Sequence, residues 1–171
     1  MKIVSLRSCQ LDPLWIDKIL SLKEQEWSHG MTSQYAFFEK YYFHPHVHFL
    51  MQDESELIAY GMTKHRPDGV EILDSIIVDQ HYRHQGFGKQ LIHFILDYHK
   101  RCNGKSKCVL ICRKHHIGFY QTFGFTPQPH ITFSDKPLRQ DQAILTNFDS
   151  PQRIYSYNQD YGNQMRCPGL L

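Results

Sequence analysis

From Val70 to His99 the chain passes from a strand ending in the β-branched run Ile76-Ile77-Val78, through Arg83-His84-Gln85-Gly86-Phe87-Gly88, into an amphipathic helical pattern carried by Leu91, Ile92, Ile95, Tyr98 and His99. Strand, glycine-bearing turn and helix, in that order, limit the fold to those in which a helix starts where a strand ends. The first N–H groups of such a helix have no partner within it and lie at the positive end of its dipole. That arrangement is a seat for phosphate or pyrophosphate. Gly86 and Gly88 carry no Cβ, so a ligand can approach the backbone closely. Arg83, His84 and Lys89 add positive charge around the same point.

Two common phosphate motifs do not fit. A dinucleotide fingerprint needs a third Gly or Ala three residues after the second glycine, where Leu91 stands. A nucleotide P-loop needs a hydroxyl after Gly-Lys, but Gly88-Lys89 is followed by Gln90. The remaining pattern, Arg/Gln-x-x-Gly-x-Gly/Ala after a strand, resembles the pyrophosphate loop of the GNAT superfamily of acetyl-CoA-dependent N-acetyltransferases. A second run strengthens the resemblance. Lys107 to Cys112 reads as a buried strand, and Ile117-Gly118-Phe119-Tyr120-Gln121-Thr122-Phe123-Gly124-Phe125 is similar to the superfamily's Phe-Tyr-x-x-x-Gly-Phe signature. Within the superfamily, that run is most similar to the serotonin (arylalkylamine) N-acetyltransferases. The resemblance spans roughly Val47 to Phe133.

The resemblance implies an α+β (mixed α/β) GNAT-type fold, with a central mixed, splayed sheet and helices on both faces. It implies acetyl-CoA as cosubstrate and no metal. Arg83, His84, Gln85, Gly86, Phe87, Gly88 and Lys89 would hold the pyrophosphate. The backbone of Ile76, Ile77 and Val78 would bond the pantetheine arm like an added strand. Phe119 and Tyr120 would flank the coenzyme sulfur, with Tyr120 as general acid; the alternative is a core tyrosine with a satisfied hydroxyl. The arylalkylamine enzymes carry a histidine pair on the strand before the loop, and here Asp74 and Ile72 hold those positions. Asp74 is a candidate general base, or the group that orients a base water, or a holder of the substrate ammonium. Simple alternation puts Ile72, Asp74 and Ile76 on one face of the strand and Glu71 and Ser75 on the other. Glu71 is the fallback base should a β-bulge shift the register.

Other groups invite chemistry less strongly. His44, His46 and His48 alternate at strand spacing, but no carboxylate or cysteine completes a metal set, and sheet-edge histidines are the alternative. His115 and His116 precede Tyr120, either as a proton relay or as surface. Tyr35, Phe37, Phe38, Tyr41, Tyr42 and Phe43 could line an acceptor pocket or pack as a helix face. Cys112 has no His/Asp partner at a spacing that would make it an acyl carrier.

A first strand is expected over residues 2–8. A helix follows from Pro13, capped by Asp12 and ended by Gly30, then a second from Tyr35 to Phe43. Strands are expected at Val47 to Met51, Leu57 to Thr63, Val70 to Val78, Lys107 to Cys112, His130 to Phe133 and Ala143 to Phe148. The 171 residues suit one domain, residues 1–149, with a polar, tyrosine-rich tail at 150–171. A net charge of +2 without basic runs argues against nucleic acid as partner, and no stretch reaches membrane-spanning length. Five cysteines without a Cys-x-x-Cys pair fit reduced thiols in a cytoplasmic protein. The expected activity is acetyl transfer to a primary amine by direct attack, a small amine being favoured, in a monomer or homodimer. The alternatives are a protein acceptor, at a lysine or an N-terminus, and a non-catalytic acyl-CoA-binding module.

Overall fold

The computed structural model describes residues 1–42, 46–66, 68–104, 106–149 and 154–155. Phe43, His44, Pro45 and most of the tail lie outside the described residues. The strands are β1 (Lys2–Arg7), β2 (Val47–Asp53), β3 (Glu56–His65), β4 (Glu71–Val78), β5 (Cys108–Arg113), β6 (Thr126–Pro127), β7 (Thr132–Phe133), β8 (Gln142–Thr146) and β9 (Ile154–Tyr155). The helices are α1 (Pro13–Glu26), α2 (Met31–Tyr42), α3 (Phe87–Asn103) and α4 (Ile117–Gln121). Asp12 caps α1 by accepting the Trp15 N–H at 2.9 Å, ahead of Pro13 at the first helical position. Gly30 does not end α1 as expected. It opens α2, where its carbonyl accepts the Gln34 N–H, and the Glu24 carboxylate accepts the N–H of Gly30 itself.

Seven strands form one mixed sheet in the order β1-β2-β3-β4-β5-β8-β6. Strands β2 and β3 are buried nearly throughout because both faces are covered. On one face Phe49, Met51, Leu73 and Leu110 pack against Leu91 and Ile95 of α3. On the other, Leu50, Tyr60, Met62 and Ile77 pack against Ile19 and Leu20 of α1 and Phe38 of α2. The result is the expected GNAT-type mixed α/β fold.

The parallel ladder between β4 and β5 is short: Glu71↔Cys108, Ile72↔Val109 and Leu73↔Leu110. Beyond Leu73, β4 continues beside β3, while β5 continues beside β8. A β-bulge lies just past the point of divergence. Met62 faces Asp74 and Tyr60 faces Ile77, so Ser75 and Ile76 together oppose Gly61. Ser75 adopts φ +55, a conformation that side chains seldom take. The bulge reverses the alternation expected from sequence. Ile76 lies with Leu73 and Val78 on the α3 face, while Asp74 and Ile77 lie toward α1.

The late strands are shorter than the sequence suggests. Pro127 and Pro129 supply no ladder donors. The expected strand from His130 reduces to Thr132–Phe133, which pairs in parallel with Ile154–Tyr155. The chain thus returns from the tail to the body on one aromatic anchor: Tyr155 is buried, faces Phe133, and has the Arg66 guanidinium 4.6 Å from its ring centroid.

Gly61 permits the bulge to press on α3. A Cβ there would fall 2.7 Å from Ile76 Cδ1 and 3.0 Å from Ile95 Cδ1. Gly61→Val should therefore destabilise the protein by about 1–3 kcal/mol, seen as a lower urea midpoint. An unchanged midpoint would mean that α3 and the bulge are not in close contact.

Candidate active site

The glycine turn is built as its sequence suggests. After Val78 the Asp79 carboxylate accepts the His81 N–H and closes a 3₁₀ turn over Gln80–Tyr82. His84 (φ +63) and Gly86 (φ +84) then bend the chain into α3. Gln90 is the residue whose N–H closes on the Gly86 carbonyl, at 3.1 Å, and no side chain caps Gly86. The N–H groups of Phe87, Gly88 and Lys89 therefore project from the open end of a 17-residue helix. A Cβ on Gly86 would meet nothing within 4 Å, so the space before that end is open. His84, Gln85 and Lys89 are exposed around it. Arg83 turns away: its Nε donates to the Val78 carbonyl at 3.0 Å and its guanidinium pairs with Glu26 of α1 at 3.2 Å.

Gly88 is where the separate motifs meet. A Cβ there would lie 3.6 Å from both Val78 Cγ2 and Phe119 Cζ, so the strand tip, the turn and the Phe-Tyr helix converge on one residue. Helix α4 is closed off by Gly124 in the left-handed conformation (φ +81), with the Phe123 and Phe125 N–H groups both donating to the Tyr120 carbonyl. Phe119 and Phe125 flank the Tyr120 ring edge-on, at 5.2 and 6.0 Å between centroids. Tyr120 is half-buried. Burial, then Cys112 and Asp74, raise its hydroxyl well above the usual tyrosine range, so it stays protonated.

The other side of the parted strands carries charge. The Asp74 carboxylate lies 2.9 Å from Lys64 Nζ, and the Ser75 hydroxyl donates to it at 3.4 Å. Burial pushes this carboxyl up, but Lys64, Lys23 and Lys136 outweigh burial and hold it below the ordinary carboxylate range. Glu71 is on the opposite face, since the bulge follows both acids and leaves their relation unchanged. It is buried beneath α3, 2.6 Å from His65 Nδ1 and 3.7 Å from His99 Nδ1. The structure thus brings the strand tip, the glycine turn and Phe119 together at Gly88, sets Asp74 near enough for its charge to act on Tyr120, and leaves Glu71 on the other face of β4 from Asp74.

The remaining candidates fall elsewhere. His48 is a buried member of a polar chain rather than a sheet-edge histidine. Its Nε2 is 2.9 Å from Ser8 Oγ and its Nδ1 is 2.8 Å from the Tyr60 hydroxyl, which makes Tyr60 the satisfied core tyrosine of the pair. His46 is buried as well. His115 and His116 are exposed at the turn before α4, their rings tilted to each other with centroids 4.0 Å apart. Phe38 packs in the core beside His48, and Tyr35 hydrogen-bonds Asp17 at the surface. Cys112 is buried and its thiol is pushed up to about 11 by that burial. Among the described residues, Cys9, Cys102, Cys108 and Cys112 form no disulfide, and no group of three or more His, Cys, Asp or Glu is placed to hold a metal ion. No described helix is long and apolar enough to cross a membrane.

The family model of the Acetyltransferase (GNAT) family matches residues 15–125, and the chain belongs to that family. Its fold is similar to that of Escherichia coli ElaA, with a TM-score of 0.71 at 19% identity over 86% of this chain and 99% of that one. An acyl-CoA N-acyltransferase from Pseudomonas aeruginosa gives 0.69 at 15% identity, covering 86% of this chain and 99% of that one. An aminoglycoside 6'-N-acetyltransferase complexed with coenzyme A gives 0.68 at 14% identity, covering 88% and 99%.

The lysines around Asp74 gave no local signal in the sequence, since they come from α1, β3 and the segment after β7. The buried histidine beside them makes a measurable prediction. Burial and the Lys23 charge push His48 from 6.5 down to about 3. A group held neutral in this way contributes stability that is complete above pH 6.5 and is lost as the pH falls toward 3. From about pH 6 to about pH 4.5, His48 should cost the protein about 1.4 kcal/mol per pH unit, and His48→Gln should remove that slope from urea titrations. A variant with the wild-type slope would place the titrating group elsewhere.

Proposed function

We propose that this chain is an acetyl-CoA-dependent N-acetyltransferase that passes acetyl directly to the primary amine of a small acceptor. One observation carries the reading: past its last pair with β5, Leu73↔Leu110, β4 runs on to Val78, where the open end of α3 and the Phe119–Tyr120 helix converge on Gly88. The residues fit the cosubstrate on two counts. The bare N–H groups at Phe87, Gly88 and Lys89 suit a pyrophosphate, and β4 from Ser75 to Ile77 lies past the end of its ladder with β5, where an extended arm would add like a strand; the Val78 carbonyl already accepts from Arg83. Bound there, acetyl-CoA supplies an activated acetyl thioester.

The chain's own groups would then handle protons and charge. Tyr120, protonated and half-buried, gives a hydrogen bond and then its proton to the sulfur that is released. Asp74 is ionised and already paired with Lys64, so it suits holding an arriving ammonium better than removing its proton. The Cys112 thiol, raised by burial, stays protonated at neutral pH and is a poor acyl carrier, which favours direct transfer. A small acceptor fits better than a protein because the end of α1 is fastened to the glycine turn. Glu26 pairs with Arg83, and the Gln25 side-chain amide donates to Asp79 at 2.9 Å. The resemblance of the run Ile117 to Phe125 to the arylalkylamine enzymes also supports an amine acceptor.

Binding to the folded state raises the melting temperature, so acetyl-CoA should stabilise the wild-type protein more than NAD or ATP does. Gly86→Asp introduces negative charge, and a side chain at φ +84, and should abolish that shift. Tyr120→Phe should keep the shift and lose about 10²- to 10⁴-fold in turnover, followed by thiol release. Stabilisation by NAD instead of acetyl-CoA, or near-normal turnover in Tyr120→Phe, would overturn the corresponding part of this reading.

A further inference from the structure

The last turn of α1 is fastened in two directions. Toward α2, the Glu24 carboxylate accepts the N–H groups of His29 and Gly30, at 3.2 and 3.0 Å, and the Gln34 amide donates to it at 3.4 Å. Toward the glycine turn, the Gln25 amide donates to Asp79 Oδ2 at 2.9 Å, and its carbonyl accepts the Gln80 N–H at 3.4 Å. Glu26 pairs with Arg83 at 3.2 Å. Three consecutive side chains, Glu24, Gln25 and Glu26, thus join the start of α2 to the segment that leads from β4 into the glycine turn.

Arg83 carries this joint onto the strand. The Asp79 N–H donates to the Ile58 carbonyl at 2.9 Å, so Val78, one residue earlier, turns its carbonyl away from β3, toward the side that β5 has left. There Arg83 Nε donates to it at 3.0 Å. Both donors belong to one planar guanidinium, so a single rigid group spans the Val78 carbonyl and Glu26. The two side chains are 39% and 33% exposed, and an ion pair in such a setting adds little to stability. What it supplies is geometry. The resemblance implied a pyrophosphate ligand at Arg83, but its charge is already matched by Glu26, which leaves little for a phosphate at longer range. Its contacts lead to α1, and α1 covers the face of the sheet toward which Asp74 lies, with Ile19 and Leu20 packed against Tyr60 and Ile77. The position of α1 against the tip of β4 therefore bounds the room for an acceptor beside Asp74.

We infer that Arg83 is a positioning residue for the acceptor: it locks the end of α1, and through Glu24 the start of α2, to the tip of the strand along which the cosubstrate would lie. This inference rests on the N-acetyltransferase reading above and adds to it a residue that aligns the two substrates more than it binds the coenzyme. Alignment is where a small displacement tells most, since misplacing reacting groups by about 1 Å can cost about 10²-fold in rate.

The test compares the wild-type protein with Arg83→Met, Glu26→Gln, the double variant and Lys89→Met. Acetyl-CoA affinity is taken from the dependence of the melting temperature on ligand concentration, and turnover from thiol release with the best acceptor of a primary-amine panel. Arg83→Met should change acetyl-CoA affinity by no more than about threefold and lower kcat by about tenfold or more. Glu26→Gln, an exposed change that keeps the side-chain shape, should lower kcat by about threefold or more. The double variant should be no slower than Arg83→Met alone, because both single changes break the same bridge. Lys89→Met supplies the contrast, since losing a charge at the open end of α3 should weaken acetyl-CoA binding by about fivefold or more. A merely structural role for Arg83 would lower the melting temperature of the free protein and leave kcat of the folded protein in place. Arg83→Met weakening acetyl-CoA as much as Lys89→Met does, wild-type turnover in Arg83→Met, or additive effects in the double variant would each overturn the inference and leave the acetyltransferase reading standing. A wild-type protein that acetyl-CoA does not stabilise, or that acetylates no amine of the panel, would overturn that reading and this inference together.

Discussion

The structure turns on a ladder that stops early. Parallel pairing between β4 and β5 needs both strands to keep the same course, and they do so for three residue pairs, Glu71↔Cys108 to Leu73↔Leu110. The bulge at Ser75 and Ile76 then adds a residue to β4, bends it toward β3, and leaves β5 to follow β8. Backbone groups that lose a ladder partner in a protein interior need another. Past Leu73 the ladder between β4 and β5 has no further pairs, and at the tip of β4 the Val78 carbonyl accepts from Arg83 Nε instead. In the function proposed above, the extended arm of acetyl-CoA would pair with the β4 edge beyond Leu73.

The same bulge sorts the chemistry. It sends Ile76 and Val78 toward α3, where Val78 meets Gly88, and leaves Asp74 and Ile77 toward α1. The glycine turn and Asp74 thus lie on the two sides of one strand segment. Arg83 binds these sides together through the Val78 carbonyl and Glu26. The arginine of the glycine motif, in this chain, serves the frame around the seat as much as the seat itself.

Much of this was readable from the sequence because the relevant signals are local. Ile76 to Gly88 spells strand, turn and helix within a single run, and Phe119 to Phe125 spells a capped helix with Gly124 where a left-handed residue is needed. The bulge was not readable in the same way: Asp74-Ser75-Ile76 has no glycine, yet Ser75 takes φ +55. Without it, alternation puts Ile76 beside Asp74, on the wrong face. Nor was the lysine group visible, because Lys23, Lys64 and Lys136 are assembled by tertiary packing from three distant segments. Tyr155 was missed for a related reason. One buried aromatic in a polar stretch has no period to detect, although it anchors β9 against β7.

Amide hydrogen exchange with and without acetyl-CoA tests the central claim most directly, since it reads backbone protection residue by residue. If the parted strands and the open end of α3 are the cosubstrate's seat, acetyl-CoA should slow exchange at Ser75 to Val78 and at Gly86 to Lys89 together, while β1 and β2 stay unchanged. Protection confined to another part of the chain, or none at saturating acetyl-CoA, would contradict it.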